Sequence, residues 1–198
     1  MPDLSRNAQL VKFFAQARRD IPRKPLVKYI YVADILGREY LGEPLSSLHY
    51  RRDKYGPYDN AIEEAIEELV VRGLAEPRRD PWYSGVVAGA YKRLRDLGYP
   101  IAFDFSLGEA AVLDYVVRNY LAMPFDEFMR DIVYETVPMK AQTIRGKPLP
   151  MDLVNNRGRE RVGFDLEQVL EAEELARRGD NVVTLGDFIN ELRAKAPA

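Results

Sequence analysis

"LVKYIYVADILGREY", Leu26 to Tyr40, is the stretch whose periodicity decides the fold class. Leu26, Tyr29, Ile30, Ala33, Leu36, Gly37 and Tyr40 recur at intervals of three and four, which places them on one face of a helix. Pro25 stands in the first turn, where a missing amide proton costs nothing, and Gly42 and Pro44 stop the helix. The spacing predicts a core helix. Beyond it, "SLHYRRDKY" alternates Leu48, Tyr50 and Arg52 with His49, Arg51 and Asp53, the pattern of a short extended segment. Gly56-Pro57 is a turn signal, because Pro57 pushes Gly56 out of helical geometry. Asn60, three residues before Glu63, predicts a helix cap. The helix that follows carries Ile62, Ala65, Ile66, Leu69 and Val70 on one face and Glu63, Glu64, Glu67 and Glu68 on the other, ending near Gly73. "GLAEP" then reads as a short strand.

The same reading extends outward in both directions. A first helix is expected over Ser5 to Arg19, with Leu10, Val11, Phe14 and Ala17 on one side. Downstream, Val87, Ala90, Tyr91, Leu94 and Leu97 predict a helix ending at Gly98. "SLGE", Ser106 to Glu109, is a capping box that starts a long helix to about Leu121, and Pro124 opens another with Phe125, Phe128, Met129, Ile132 and Val133 turned inward. A Pro- and Gly-containing run from Thr143 to Gly163 reads as a linker, followed by helices over Leu166 to Arg178 and Leu185 to Ala194. Leu185, Phe188, Ile189 and Leu192 form an apolar stripe on the last of them. The expected fold is mainly α: a compact helical domain with a short extended or β element, a winged-helix-like segment, and C-terminal helices. The expected division is an N-terminal helix in 1–24, a domain in 25–143, and a linker with a helical segment in 144–198.

Composition narrows the chemistry. With 198 residues, 46% of them hydrophobic, the chain is long enough to bury a full core. It has no cysteine and a single histidine, His49, which removes disulfides, thiolate nucleophiles and His- or Cys-built metal sites. No run of 18 apolar residues occurs, so no membrane partner and a cytoplasmic location are expected. The net charge of −2 hides a strong asymmetry: residues 1–57 hold 11 Lys/Arg against 6 Asp/Glu, whereas 58–76 hold 1 against 6. One acidic helix lies between more basic neighbours.

No catalytic constellation emerges. Gly146-Lys147 lacks the upstream glycine and following hydroxyl of a phosphate loop, and His49 sits among arginines with no nucleophile signalled beside it. Glu63 and Glu67 share a helix face, but that spacing is what a solvated face produces anyway. A non-enzymatic protein without cofactor is expected. The order of helix, extended segment, helix and "GLAEP" resembles a winged-helix domain, whose later helix enters the major groove. Asp59, Glu63, Glu64, Glu67 and Glu68 would carry five carboxylates towards the phosphates, so DNA binding through this helix is not favoured. Arg51, Arg52 and Lys54 keep another DNA-binding face open.

The segment from Leu26 to Leu69 resembles the start of the Panacea domain, the SocA-like antitoxin family. "YIYVAD", "GEP" and "KYGP" follow in that family's order and at similar spacing, and "SLGEAAVLDYVVRNYLAMPFDEFMRDIVYETVPMKA" is similar to its second half. The resemblance covers about residues 25–143. It implies an antitoxin that neutralises a cognate protein toxin by direct contact, or as an adaptor that delivers the toxin to a protease. Tyr55, Tyr58, Trp82 and Tyr83 suit interface anchors, since large amphipathic rings bury area at low entropic cost. Glu63, Glu64, Glu67 and Glu68 complete the expected contact set.

Overall fold

The computed structural model describes residues 4–79 and 91–155. The expected helices over 166–178 and 185–194, and Trp82 and Tyr83, lie outside the described residues. Two helices open the chain. α1 (Arg6–Ala17) starts where the Ser5 hydroxyl accepts from the Ala8 amide at 3.2 Å, satisfying one of the donors that a helix N-terminus leaves open. After the short strand β1 (Asp20–Pro22), α2 (Arg23–Tyr40) carries the stretch on which the sequence reading turns.

α2 is wrapped on all sides. Beyond the predicted stripe, Val27, Lys28, Tyr31, Val32, Asp34 and Ile35 are buried as well, which makes it the central rod of the domain and not a one-faced surface helix. Phe14 of α1 stacks on Tyr29 with ring centroids 5.9 Å apart, and Phe128 closes on the same ring at 4.9 Å. At Gly37 a side chain would drive into Leu45 Cδ1 and the Glu43 carbonyl, so the bare glycine lets the following loop fold back on the rod.

Around the rod, a hairpin of β2 (Arg51–Asp53) and β3 (Gly56–Tyr58) leads into α3 (Ala61–Val71). α3 buries Ile62, Ala65, Ile66 and Leu69, as the apolar spacing predicts. Its start differs from the expectation. Asn60 makes no capping bond; the neighbouring Asp59 accepts from the Ala61 amide at 3.1 Å, while Asn60 Oδ1 accepts from Arg51. The predicted strand at "GLAEP" is present as β4 (Ala75–Arg79), and β5 (Tyr91–Asp96) lies between it and β1 in an antiparallel sheet of order β1-β5-β4. The helix expected to end at Gly98 is therefore corrected to a strand over its described part. Leu94 and Asp96 are buried while Arg93 and Arg95 are half-buried, a period of two that the spacing of Leu94 and Leu97 concealed.

α4 (Leu107–Tyr120) begins with both halves of the predicted capping box, and Ala110, Leu113 and Val116 of this helix are buried. Pro124 precedes α5 (Phe125–Phe128), which widens into a π turn at Met129–Val133. Phe128, Met129 and Val133 are buried as expected. α6 (Val137–Ala141) and a 3-10 turn at Met151–Leu153 complete the described chain. It is mainly helical, with one small three-stranded sheet and one hairpin.

The hairpin turns on Gly56, whose φ is +91° and whose missing Cβ would lie 3.0 Å from Met129 Cε and 3.5 Å from Lys28 Cε. Gly56→Ala combines left-handed strain with crowding, so thermal or urea denaturation should show a loss of about 1–3 kcal/mol. A melting curve indistinguishable from the parent would contradict this placement of the turn.

Candidate functional site

The hairpin is held from three directions. From beneath, the buried Lys28 ammonium donates to the Pro57 carbonyl at 2.6 Å. On its outer side the Arg52 amide donates to the Lys147 carbonyl at 2.9 Å and the Gly146 amide returns a bond to the Arg52 carbonyl at 2.6 Å. Arg52 Nη1 donates to the Met139 and Gln142 carbonyls at 2.6 and 2.7 Å, capping the end of α6. Arg52 is thus committed to the fold.

Immediately before the hairpin, Asp34 organises the loop from Leu45 to Tyr50. Its carboxylate accepts from the Ser46 amide at 2.7 Å, the Ser46 hydroxyl at 2.5 Å and the Tyr50 hydroxyl at 2.7 Å. Burial raises its pKa above the usual carboxyl range, although each of these bonds pulls the other way. Burial raises the Tyr50 hydroxyl too, and the adjacent Asp34 charge adds to it. Tyr31 packs edge-on against Tyr50 at 5.0 Å and shares a 2.7 Å hydrogen bond with Thr136.

Between the hairpin, α2 and α3 lies a groove of about 540 Å³. Its floor is apolar, with Pro25, Val27, Ile62, Ile66 and Phe125, and Tyr55 and Tyr58 stand at its edge. Tyr55 is half exposed at the turn, and Lys24 Nζ sits 4.0 Å and Lys54 Nζ 5.3 Å from its ring centroid. Tyr58 is half-buried and donates to Glu63 at 3.2 Å. Burial pushes the Lys28 ammonium down to about 8, against the opposing pull of Asp53. Burial also lowers Arg23, which pairs with Glu63. The Lys54 amide foremost, then Arg145, holds Asp53 below its ordinary value despite partial burial. A second concavity of about 610 Å³ adjoins the groove across Pro22, Pro25 and Phe125.

The four glutamates of α3 separate into two pairs. Glu63 is engaged by Arg23 and Tyr58; Glu68 accepts from the Ser5 amide at 3.2 Å and from Arg72 at 2.7 Å. Burial works to raise Glu68, and these bonds outweigh it and leave its pKa lowered. Glu64 and Glu67 are exposed and have no ion pair among the described residues. Tyr55, Tyr58 and Glu63 are brought together at the groove; Glu64, Glu67 and Glu68 do not line it, and Trp82 and Tyr83 lie outside the described residues. Sequence reasoning missed Arg23, Lys24, Lys28 and Phe125 as lining residues. No local signal marked Lys28, whose partner, the Pro57 carbonyl, comes from a later turn of the chain.

The hairpin, the Asp34 clamp and the groove apart from its edge at Pro22, Arg23, Lys24 and Pro25 fall within the part of the chain that matches a family model, the antitoxin SocA-like, Panacea domain, over residues 26–136. The chain belongs to this antitoxin family. The Panacea match starts in the first turns of α2 and ends at Thr136, so the hydrogen bond from Tyr31 to Thr136 ties an early residue of the Panacea domain to its last. No curated protein and no solved structure gives a significant match. Within the described residues no helix is long and apolar enough to cross a membrane, and no cluster of three or more potential metal ligands occurs.

Proposed function

We propose that this protein is an antitoxin that neutralises a cognate protein toxin in the cytoplasm by direct contact, without catalysis. Membership of the SocA-like antitoxin family over residues 26–136 carries the reading. Two surface features support it. Tyr55 projects at the rim of an apolar groove, the kind of rigid aromatic group that anchors interfaces. Glu64 and Glu67, exposed on α3, offer an acidic patch to a basic partner. The other two glutamates serve the fold, and their reversal would test stability more than contact.

The test is co-expression with the product of the adjacent gene, toxic when expressed alone. Rescue of growth and co-purification are expected. Tyr55→Ala should weaken the complex about tenfold or more, and E64K/E67K should weaken it further, both with unchanged melting curves. Toxin level in the rescued cells separates the two modes: it is maintained if the toxin is blocked and falls if it is delivered to a protease. A product that is not toxic, or that never co-purifies, would remove the antitoxin reading.

The order of α1, β1, α2, the β2-β3 hairpin, α3, β4 and β5, with a β1-β5-β4 sheet, favours a second reading, a winged-helix-type DNA-binding regulator. α3 would then face the phosphates with its glutamates, and Arg52 is already bound to carbonyls of the α6 region. Salt-dependent affinity for the promoter of its own operon, lost in Arg51→Ala, would restore this alternative.

A further inference from the structure

We infer that the groove between the hairpin, α2 and α3 receives an apolar segment of the toxin that carries a carboxylate, so that the partner is held by its acidic side at this site. The inference rests on the antitoxin reading and adds the chemistry of the contact. Charge complementarity is the first argument. Each acid at the groove already has a cation of its own: Glu63 pairs with Arg23, and Asp53 with Arg145 at 3.2 Å. Lys24, Lys28 and Lys54 remain as the surplus, two of them exposed and stationed around the Tyr55 ring. A groove whose acids are individually neutralised while Lys24 and Lys28 line it and Lys54 stands beside its rim at Tyr55 is matched to an anionic occupant.

The floor decides what kind of anion. Pro25, Val27, Ile62 and Ile66 offer no hydrogen bonds from their side chains, and the adjoining concavity continues the apolar surface along Val117, Leu121 and Met123. Such a surface is stabilised by apolar side chains, so the occupant must combine them with a negative charge. A nucleic acid supplies the charge without those side chains. A protein segment with a carboxylate next to aliphatic or aromatic residues satisfies both demands. Lys28 lines the groove from beneath the hairpin, its ammonium already held by the Pro57 carbonyl.

The test measures binding of the purified adjacent-gene product to the full-length protein and to K24E/K54E. Both lysines are exposed, so the variant should keep the parent melting curve. A loss of at least tenfold in affinity is expected, together with weaker binding of the parent protein as salt is raised. Reversing one acidic residue of the product to lysine should recover binding to K24E/K54E. Equal affinity of parent and variant would overturn the inference and leave the antitoxin reading standing. If the parent protein itself binds no adjacent-gene product, the antitoxin reading fails and this inference falls with it.

Discussion

Asp34→Ala should be among the most damaging single substitutions in the molecule, with a loss of roughly 3–5 kcal/mol in urea or guanidinium unfolding. The carboxylate is fully buried and accepts three hydrogen bonds, from the Ser46 amide, the Ser46 hydroxyl and the Tyr50 hydroxyl. Alanine leaves those donors buried without an acceptor, and each costs about 1–3 kcal/mol when stranded. The damage would not stop at the loop. Tyr50 packs on Tyr31, and the Leu149 amide donates to the Tyr50 carbonyl at 2.8 Å, so a shifted Tyr50 loosens the outer side of the hairpin as well. A variant within 1 kcal/mol of the parent would show that the loop does not depend on this acceptor.

Asp34→Asn separates charge from shape. Burial raises the folded-state pKa of Asp34 above its unfolded value, so the native state holds this proton more tightly than the unfolded chain does. Its contribution is therefore fully present below the ordinary carboxyl pKa and is lost as pH rises through the raised one. Asparagine does not titrate. The stability gap between parent and Asp34→Asn should accordingly narrow as pH rises across that window, and a constant gap would mean that Asp34 has the same pKa folded and unfolded.

The clamp also shows what the chain discloses and what it withholds. The three-and-four spacing of Leu26, Tyr29, Ile30 and Ala33 was enough to place α2, and Gly42 and Pro44 its end, because these are local signals. That Lys28 and Asp34 are buried was not legible. Each lies on the flank that an amphipathic pattern assigns to water, and their partners, Pro57 and Tyr50, come from later turns of the chain. The same limit applied to α3, whose glutamates looked equivalent until Arg23, Ser5 and Arg72 divided them. At β5 the error was one of period: Leu94 and Leu97 fit a helix, but neighbours β1 and β4 impose a strand whose residues alternate. Tyr55 and Tyr58 were expected as interface anchors, and the Gly-Pro turn between them places both at the groove. The cations around them come from the start of α2, and no local pattern joins the two segments.

Lys12→Met is the second large effect expected, again about 3–5 kcal/mol. Lys12 is on α1 and has no exposure to solvent; its ammonium pairs with Asp96 at the end of β5, with the Leu74 carbonyl 3.4 Å away. The pair spans 84 residues of sequence and binds the first helix to the central strand of the sheet. Methionine fits the aliphatic stem but leaves Asp96 buried with the Gly98 amide, at 2.9 Å, as its remaining side-chain partner among the described residues. An unpaired buried charge is costlier than the pair itself is favourable, because both ions gave up their hydration to form it. The sign of the double variant follows from that asymmetry. K12M/D96N removes both charges and should recover most of the stability lost in Lys12→Met, to within about 1–2 kcal/mol of the parent. Unfolding of the four proteins of this cycle checks it directly. If the double variant is as unstable as the sum of the two single ones, the ion pair contributes nothing as a unit, and α1 is held on the sheet by packing alone.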